Sequence, residues 1–322
     1  MKIIIVYNLP TDKNSADDLD VLTQVEAVKK SLIELNHSVI EFGADLNLNL
    51  FKKQIEDINP DMVFNLVEAL NGTEAYMHFI PQILESKNVS FTGGTSQSLF
   101  ITTNKVLTKK LFDQYNILTP KWFSTKNTFN AISFSVPCII KPVNVDASVG
   151  LDDSSIIYAK EKLKDELNKR TEKYGECFVE EFIDGREFNI SVIETKDGPL
   201  VLPIAEIRFK NYPKDKPKII SYDAKWNEDT FEYHNTVRNF DFNKNDEKLL
   251  NELKKTTLEI WNKFELKGYV RVDYRVDENE NIFALEINVN PCISPDSGFF
   301  AACEKYGWNY TKMVEAILSF AT

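Results

Sequence analysis

Two apolar segments near the C-terminal end, "YVRVDYRV" and "IFALEINVN", carry Arg271, Asp273, Glu286 and Asn288 at alternating positions. Side chains alternate across a strand, so Arg271, Asp273 and Arg275 share one face of the first segment. Glu286, Asn288 and Asn290 share one face of the second. The intervening "DENEN" is turn-like, which makes the segments hairpin partners. Withdrawing a charge from water is costly unless it is paired or coordinated. With the polar faces aligned, Asp273, Glu286 and Asn288 converge as hard oxygen ligands, suited to Mg2+ or Mn2+ between protein and nucleotide phosphates. Polar alternation is equally the signature of a sheet with one wet face. The spacing alone leaves both readings open.

The N-terminal third sets the fold class. "IIIVY" (3–7), "SVIEF" (38–42) and "DMVFNL" (61–66) read as strands. Between the first two, Leu22, Val25, Val28, Leu32 and Leu35 recur at helical spacing. A second helix is expected near "LNLFKKQIEDI" and a third in "TEAYMHFIPQILESK". This βαβαβ order implies a parallel sheet with helices on its faces. The first strand runs into "YNLPTD" without GxGxxG, which disfavours a Rossmann dinucleotide site.

We expect three units: an α/β domain over 1–95, then two α+β subdomains over 96–186 and 187–322. The second holds a helix at 104–116, the strand-like "VPCIIKPVN", a helix near 160–173 and "CFVEEFI" (177–183). The third holds long strands in "EFNISVIET" and "PLVLPIAEIRF", an amphipathic helix over 246–264, the hairpin and a closing helix. Polar "KNYPKDKPK" (210–218) is the best candidate for a mobile loop.

A net charge of −11 argues against a nucleic-acid surface, which needs a basic stripe. Cys138, Cys177, Cys292 and Cys303 show no CxxC spacing, so neither zinc nor a disulfide framework is expected. No signal peptide and no membrane-length apolar run is visible. A cytoplasmic protein is the expectation, and a homodimer is left open.

Two further motifs bear on the hairpin. "CIIKPVNVDASVG" ends an apolar strand on Lys141, a cationic anchor for phosphate, beside a Ser-bearing flap ending at Gly150. "FVEEFIDGREF" puts Glu180 and Glu181 at a strand end and Glu187 after a turn. Such an edge offers backbone groups to an adenine and a carboxylate to ribose hydroxyls. Each alone reads as an ordinary strand end; their order with the hairpin is far more specific.

Over essentially its whole length the chain resembles the ATP-grasp superfamily, and within it the D-alanine–D-alanine ligase-like group. The resemblance is firmest in "TGGTSQSLFITTNKVLTKKLF", "IIKPVNVDASVG", "VEEFIDGREF", "YDAKW" and the hairpin. It implies an ATP clamped between two α+β units and an ATP-dependent carboxylate–amine ligase for small amino-acid-like substrates, working through an acylphosphate. It also implies roles by position. Lys105, Lys141 and Lys225 would contact phosphates, and Ser148 would close over them. Glu180 with the Glu181–Ile183 backbone would hold adenine, and Glu187 the ribose. Asp273, Glu286 and Asn288 would bind two Mg2+ or Mn2+ ions. Arg271 would stabilise the oxyanion, and Ser297 would hold the second substrate's carboxylate.

The amino-acid half departs from the family. Ala147 stands where a serine would and Trp226 where a tyrosine would, the latter open between packing and a substrate platform. The N-terminal glutamate motif is not recognisable in "NLPTDKNSADDLD"; Asp17, Asp18 or Asp20 could substitute for it, although they read more readily as surface acids at a helix start. Glu68 occupies a place often taken by His. Cys292 stands where a glycine amide faces the oxyanion, open between a nucleophile and, far more readily, a small inert residue in that backbone role, and Asp296 would add selectivity for a cationic group. An ATP-grasp kinase needs neither Arg271 nor Ser297. A decayed nucleotide-binding protein sits poorly with intact Lys141, Asp273, Glu286 and Asn288.

Overall fold

A computed structural model describes residues 1–12, 15–124 and 135–321; residues 13–14 of the N-terminal motif fall outside it. The chain opens as β1 (Lys2–Asn8), α1 (Ala16–Glu34), β2 (Ser38–Ala44), α2 (Leu48–Ile58), β3 (Met62–Leu66) and α3 (Phe79–Ser86). The strands form a parallel sheet in the order β2-β1-β3. Ile3, Ile4, Ile5 and Val6 are all buried, because β1 is central and covered on both faces. Ile3 and Ile5 pack with α1, whereas Ile4 and Val6 join Phe51 and Ile55 of α2 and Ile80 and Leu84 of α3. One expectation is corrected: α1 buries Val21, Val25, Val28 and Leu32, while Leu22 is exposed. The 4-3-4 spacing from Val21 follows the inner face, and Leu22 sits one position around the helix.

Next come α4 (Ser96–Thr103), α5 (Lys105–Gln114), β4 (Trp122–Ser124), β5 (Cys138–Pro142), β6 (Ile156–Ile157), α6 (Leu163–Tyr174) and β7 (Cys177–Glu181). The strands form a sheet in the order β4-β7-β5-β6, with α6 on the apolar side. Asn104 caps α5 by accepting a hydrogen bond from the Leu107 amide, which places Lys105 in the first turn.

The remainder is β8 (Arg186–Thr195), β9 (Gly198–Val201), β10 (Ala205–Phe209), α7 (Tyr222–Trp226), α8 (Phe231–Asn235), β11 (Thr236–Asn239), α9 (Glu247–Lys263), β12 (Tyr269–Val276), β13 (Ile282–Val289), α10 (Gly298–Tyr306) and α11 (Tyr310–Ser319). Its sheet runs β11-β10-β8-β12-β13, with β9 also on β8. The long strand expected in "PLVLPIAEIRF" is two, broken around Pro203, which lacks the N–H a continuous ladder needs. Alternation decides what each face does. Phe188, Ile190, Val192, Val270, Val272, Tyr274 and Val276 share a buried core with Leu253 and Ile260 of α9. The intervening Glu187, Asn189, Arg271, Asp273 and Arg275 line a cavity on the opposite face.

The three sheets are separate along the sequence, but α4 and α5 pack against β13 of the third. Boundaries at 96 and 187 therefore stay a proposal about how the chain partitions. The 210–218 loop is fastened: Lys216 bridges Asp153 and Glu232 at 2.6 Å each, and the Tyr212 hydroxyl bonds Thr236. Among the described residues no helix is long and apolar enough to cross a membrane.

Candidate active site

Between the two antiparallel sheets lies a cavity of about 550 Å³. The hairpin forms its floor. β12 and β13 pair Arg271 with Asn288 and Asp273 with Glu286, and a bulge follows Asp273. Arg271 donates through Nε and Nη2 to Asp273, both at 2.8 Å. Asn189 donates to Asp273 Oδ1 at 2.8 Å and Asn288 to Oδ2 at 3.0 Å. This answers the cost of burying these charges: each carboxylate oxygen accepts bonds from both sides. Glu286 behaves differently. Burial pushes its pKa up, but Lys105, Lys141 and Arg271 outweigh burial and hold it down at about 2.

Could these residues hold a divalent cation? Among the described residues no group of three or more His, Cys, Asp or Glu is arranged to cage a metal. Asp273, Glu286 and the Asn288 amide supply two carboxylates and one neutral oxygen. Mg2+ is ordinarily held by one or two carboxylates, its other positions going to water and substrate phosphates. The donor set fits a shared ion of that kind.

The roof comes from the smaller sheet. Lys141 on β5 lies 2.6 Å from Glu180 on β7, and Lys109 of α5 lies 2.7 Å from the other Glu180 oxygen. Lys109 also reaches Thr119 at 2.7 Å. Burial raises the Glu180 pKa, and the two lysines more than offset it, leaving the carboxylate below its usual range. The "VEEFI" edge is partly consumed: the Glu181 amide bonds Lys121 and the Phe182 amide bonds Pro137, whereas Ile183 is the next along the edge and lines the cavity. Glu187 is 2.6 Å from Arg275, its register partner on β12. Lys105 pairs with Asp146 of the Ser148 loop and lies 3.9 Å from Glu286. The Asp146 amide in turn donates to Glu74 at 2.6 Å.

That loop carries Ala147 and Ser148 at φ of 54° and 61°, a left-handed conformation rare for residues with a Cβ. Trp226 of α7 donates its indole N–H to the Ala147 carbonyl at 2.8 Å. Trp226 thus fastens the loop while still facing the cavity. Lys225 lies 4.8 Å from the same ring, and Ser148, Lys225 and Trp226 all line the cavity.

The far end is acidic. Asp20 is no surface acid: it lines the cavity and accepts the Cys292 thiol at 2.9 Å. Asp17 lines it too and accepts the Tyr222 hydroxyl at 2.9 Å, while Asp18 accepts the Thr11 amide. Gln24 reaches both Asp20, at 3.3 Å, and Glu68, at 2.9 Å. Burial raises Asp20 and lifts Glu68 to about 7. Burial, with Glu68 and Asp20 adding, holds the Cys292 thiol well above its ordinary value, an environment that favours the neutral thiol. Asp296 accepts the Ser294 hydroxyl, and Ser297 caps α10 by accepting the Phe300 amide at 3.2 Å. Sequence reasoning missed Asp146, Asn189 and Arg238. Lys109 had a faint signal, an interior lysine one turn from Lys105 on an amphipathic helix.

Residues 112–319 match the family model described as D-ala D-ala ligase C-terminus. The D-alanine–D-alanine ligase of Aquifex aeolicus is 30% identical over 300 residues, covering 91% of this chain and 93% of that one. The D-alanine–D-alanine ligase of Thermotoga petrophila is 27% identical, covering 92% and 90%. Among solved structures, the Bacillus anthracis D-alanine–D-alanine ligase complexed with ATP superposes with a TM-score of 0.76 at 20% identity, covering 99% of this chain and 97% of that one. The VanG D-Ala:D-Ser ligase of Enterococcus faecalis gives 0.72 at 19% identity, covering 99% and 98%. With its fold, its cavity and these relatives in agreement, the chain belongs to the D-alanine–D-alanine ligase family, ATP-dependent enzymes that form C–N bonds.

Proposed function

We propose that this chain joins two small amino-acid-like substrates in the cavity, with Lys105, Lys141 and Lys225 on the ATP phosphates and Asp273, Glu286 and Asn288 on Mg2+. The observation that carries this is the cationic roof of Lys141 and Lys105 opposite a carboxylate held ionised at Glu286. Bound there, a divalent cation would neutralise charge on the transferred phosphoryl group. Glu180 and the Ile183 backbone take the adenine, and Glu187 a ribose hydroxyl. The carboxylate of the first substrate attacks the γ-phosphorus, ADP leaves, and an acylphosphate forms. The amine of the second substrate then attacks the acyl carbon, and collapse of the tetrahedral intermediate expels phosphate. Arg271 is fixed by Asp273 through two of its nitrogens, which leaves Nη1 for the developing oxyanion. Ser148 covers the phosphates from a loop that Trp226 holds.

The first substrate is not D-alanine by preference. Ala147 lacks the serine hydroxyl, and Trp226, whose N–H is spent on the loop, stands where a tyrosine would. A hydroxyl partner lost from a closed site costs roughly 1–3 kcal/mol. The test is ADP release over pairs of amino acids and small carboxylates, with mass spectrometry of the products. Efficient D-alanyl-D-alanine formation with no better pair would overturn the specificity reading. ADP release with phosphorylated but unligated product would favour a kinase.

A further inference from the structure

Lys109 of α5 is 1% exposed, and three segments of the chain meet at its ammonium. It lies 2.7 Å from Glu180 on β7, donates to the Thr119 hydroxyl at 2.7 Å and reaches the Ala284 carbonyl on β13 at 3.4 Å. An ammonium has three N–H donors, and these three acceptors account for all of them. Thr119 closes a second bond to the same carbonyl, donating at 2.8 Å, and the Ala284 amide donates to the Leu118 carbonyl at 2.8 Å. β13 is the edge strand of its sheet, so residues 118–119 supply partners that a further strand would otherwise give. Ala284 also sits at the bulge: Tyr274 pairs with Ala284 and Asp273 with Glu286, and the register skips Leu285. A bulge re-aims the side chains beside it. The clamp on Ala284 therefore fixes the point from which Glu286 is aimed into the cavity.

We propose that Lys109 is a positioning residue for the reaction: its one ammonium orients Glu180 toward the nucleotide base and, through the Ala284 carbonyl, Glu286 toward the divalent cation. This rests on the ligase reading above. Lys109 is not among the residues that line the cavity, so it acts through these two carboxylates and touches neither ligand. A buried ion pair that serves stability alone is replaceable by apolar side chains at little cost, because desolvation offsets what pairing gains. What sets Lys109 apart is the pair of elements it ties: the roof at Glu180 and the strand of the floor that carries Glu286.

The experiment measures three quantities on the full chain: ATP affinity in EDTA by calorimetry, Mn2+ affinity in the presence of ADP by electron paramagnetic resonance, and the thermal midpoint. K109M keeps the length of the side chain and removes all three donors. Both affinities are expected to fall, each on the order of 10-fold. T119V deletes only the hydroxyl that backs the Ala284 carbonyl, so its Mn2+ affinity should fall about 5-fold. The midpoint of K109M falls as well, because Glu180 loses one of its two cations, but a purely structural lysine would lower the midpoint alone. A folded K109M with either affinity at its wild-type value overturns the inference while the ligase reading stands. If K109M does not fold, T119V decides: an unchanged Mn2+ affinity removes the tie to the hairpin and overturns the inference. Should wild type bind neither ATP nor Mn2+ with ADP, the ligase reading falls and this inference with it.

Discussion

Replacing Lys141 by alanine tests the roof of the cavity in two ways at once. Glu180 is 1% exposed and has two cationic neighbours, Lys141 and Lys109. Breaking a buried ion pair by removing one partner costs about 3–5 kcal/mol. Lys109 remains, so we expect roughly half of that, about 2 kcal/mol, and a fall in Tm on the order of 4 °C. The loss should depend on pH. In the wild type the folded Glu180 pKa is depressed, so its contribution is present above the unfolded value and fades as pH falls through the folded one. With Lys141 gone, burial is less fully offset and the folded pKa moves up. The gap between wild type and variant should therefore be widest near neutral pH and narrow on acidification, because the variant's Glu180 protonates before the wild type's. Turnover should fall at least about 100-fold at every pH, because a fixed charge is lost from a site poor in water. Thermal melts at pH 7 and pH 4, beside ADP-release assays, read both effects. A variant with an unchanged Tm, or a deficit equal at both pH values, would refute the claim that Lys141 holds Glu180.

Glu286→Gln should leave the fold intact and lower turnover by orders of magnitude, with excess Mg2+ failing to rescue it; near wild-type rates at saturating Mg2+ would remove Glu286 from the metal site. Trp226→Phe keeps an aromatic ring beside Lys225 but deletes the donor to Ala147, worth about 1 kcal/mol, so KM for ATP should rise about 5-fold. A KM within twofold of wild type would mean that the loop is held elsewhere. Glu68 sits at about 7 in the fold against 4.5 as its ordinary value, so the folded state binds the extra proton between those limits. Stability from this residue is present below about pH 4.5 and is lost as pH rises through 7. Glu68→Gln should flatten that stretch of the Tm profile, and an unchanged slope would place the titrating group elsewhere.

What the sequence determined by itself is local. The period-2 alternation of "YVRVDYRV" and "IFALEINVN" placed Arg271, Asp273, Glu286 and Asn288 on cavity faces, and the Asp273–Glu286 register agrees with it. The unbroken apolar run of β1 marked a strand covered on both sides. Where local pattern was thinner it misled: Leu22 was placed on the inner face of α1, one position from Val21, and a strand was drawn through Pro203. The tertiary structure alone decided which charges meet. The sequence left Asp20 between a surface acid and a site acid; in the fold Gln24 of α1 ties it to Glu68, 44 residues beyond Gln24. Trp226 and Ala147, 79 residues apart, became donor and acceptor. Lys109 and Lys141 share Glu180. Backbone periodicity is written in neighbouring residues, because sterics and alternation act over a few positions. The partner of a buried charge depends on which elements pack together, and that is settled only when the whole chain has folded around it.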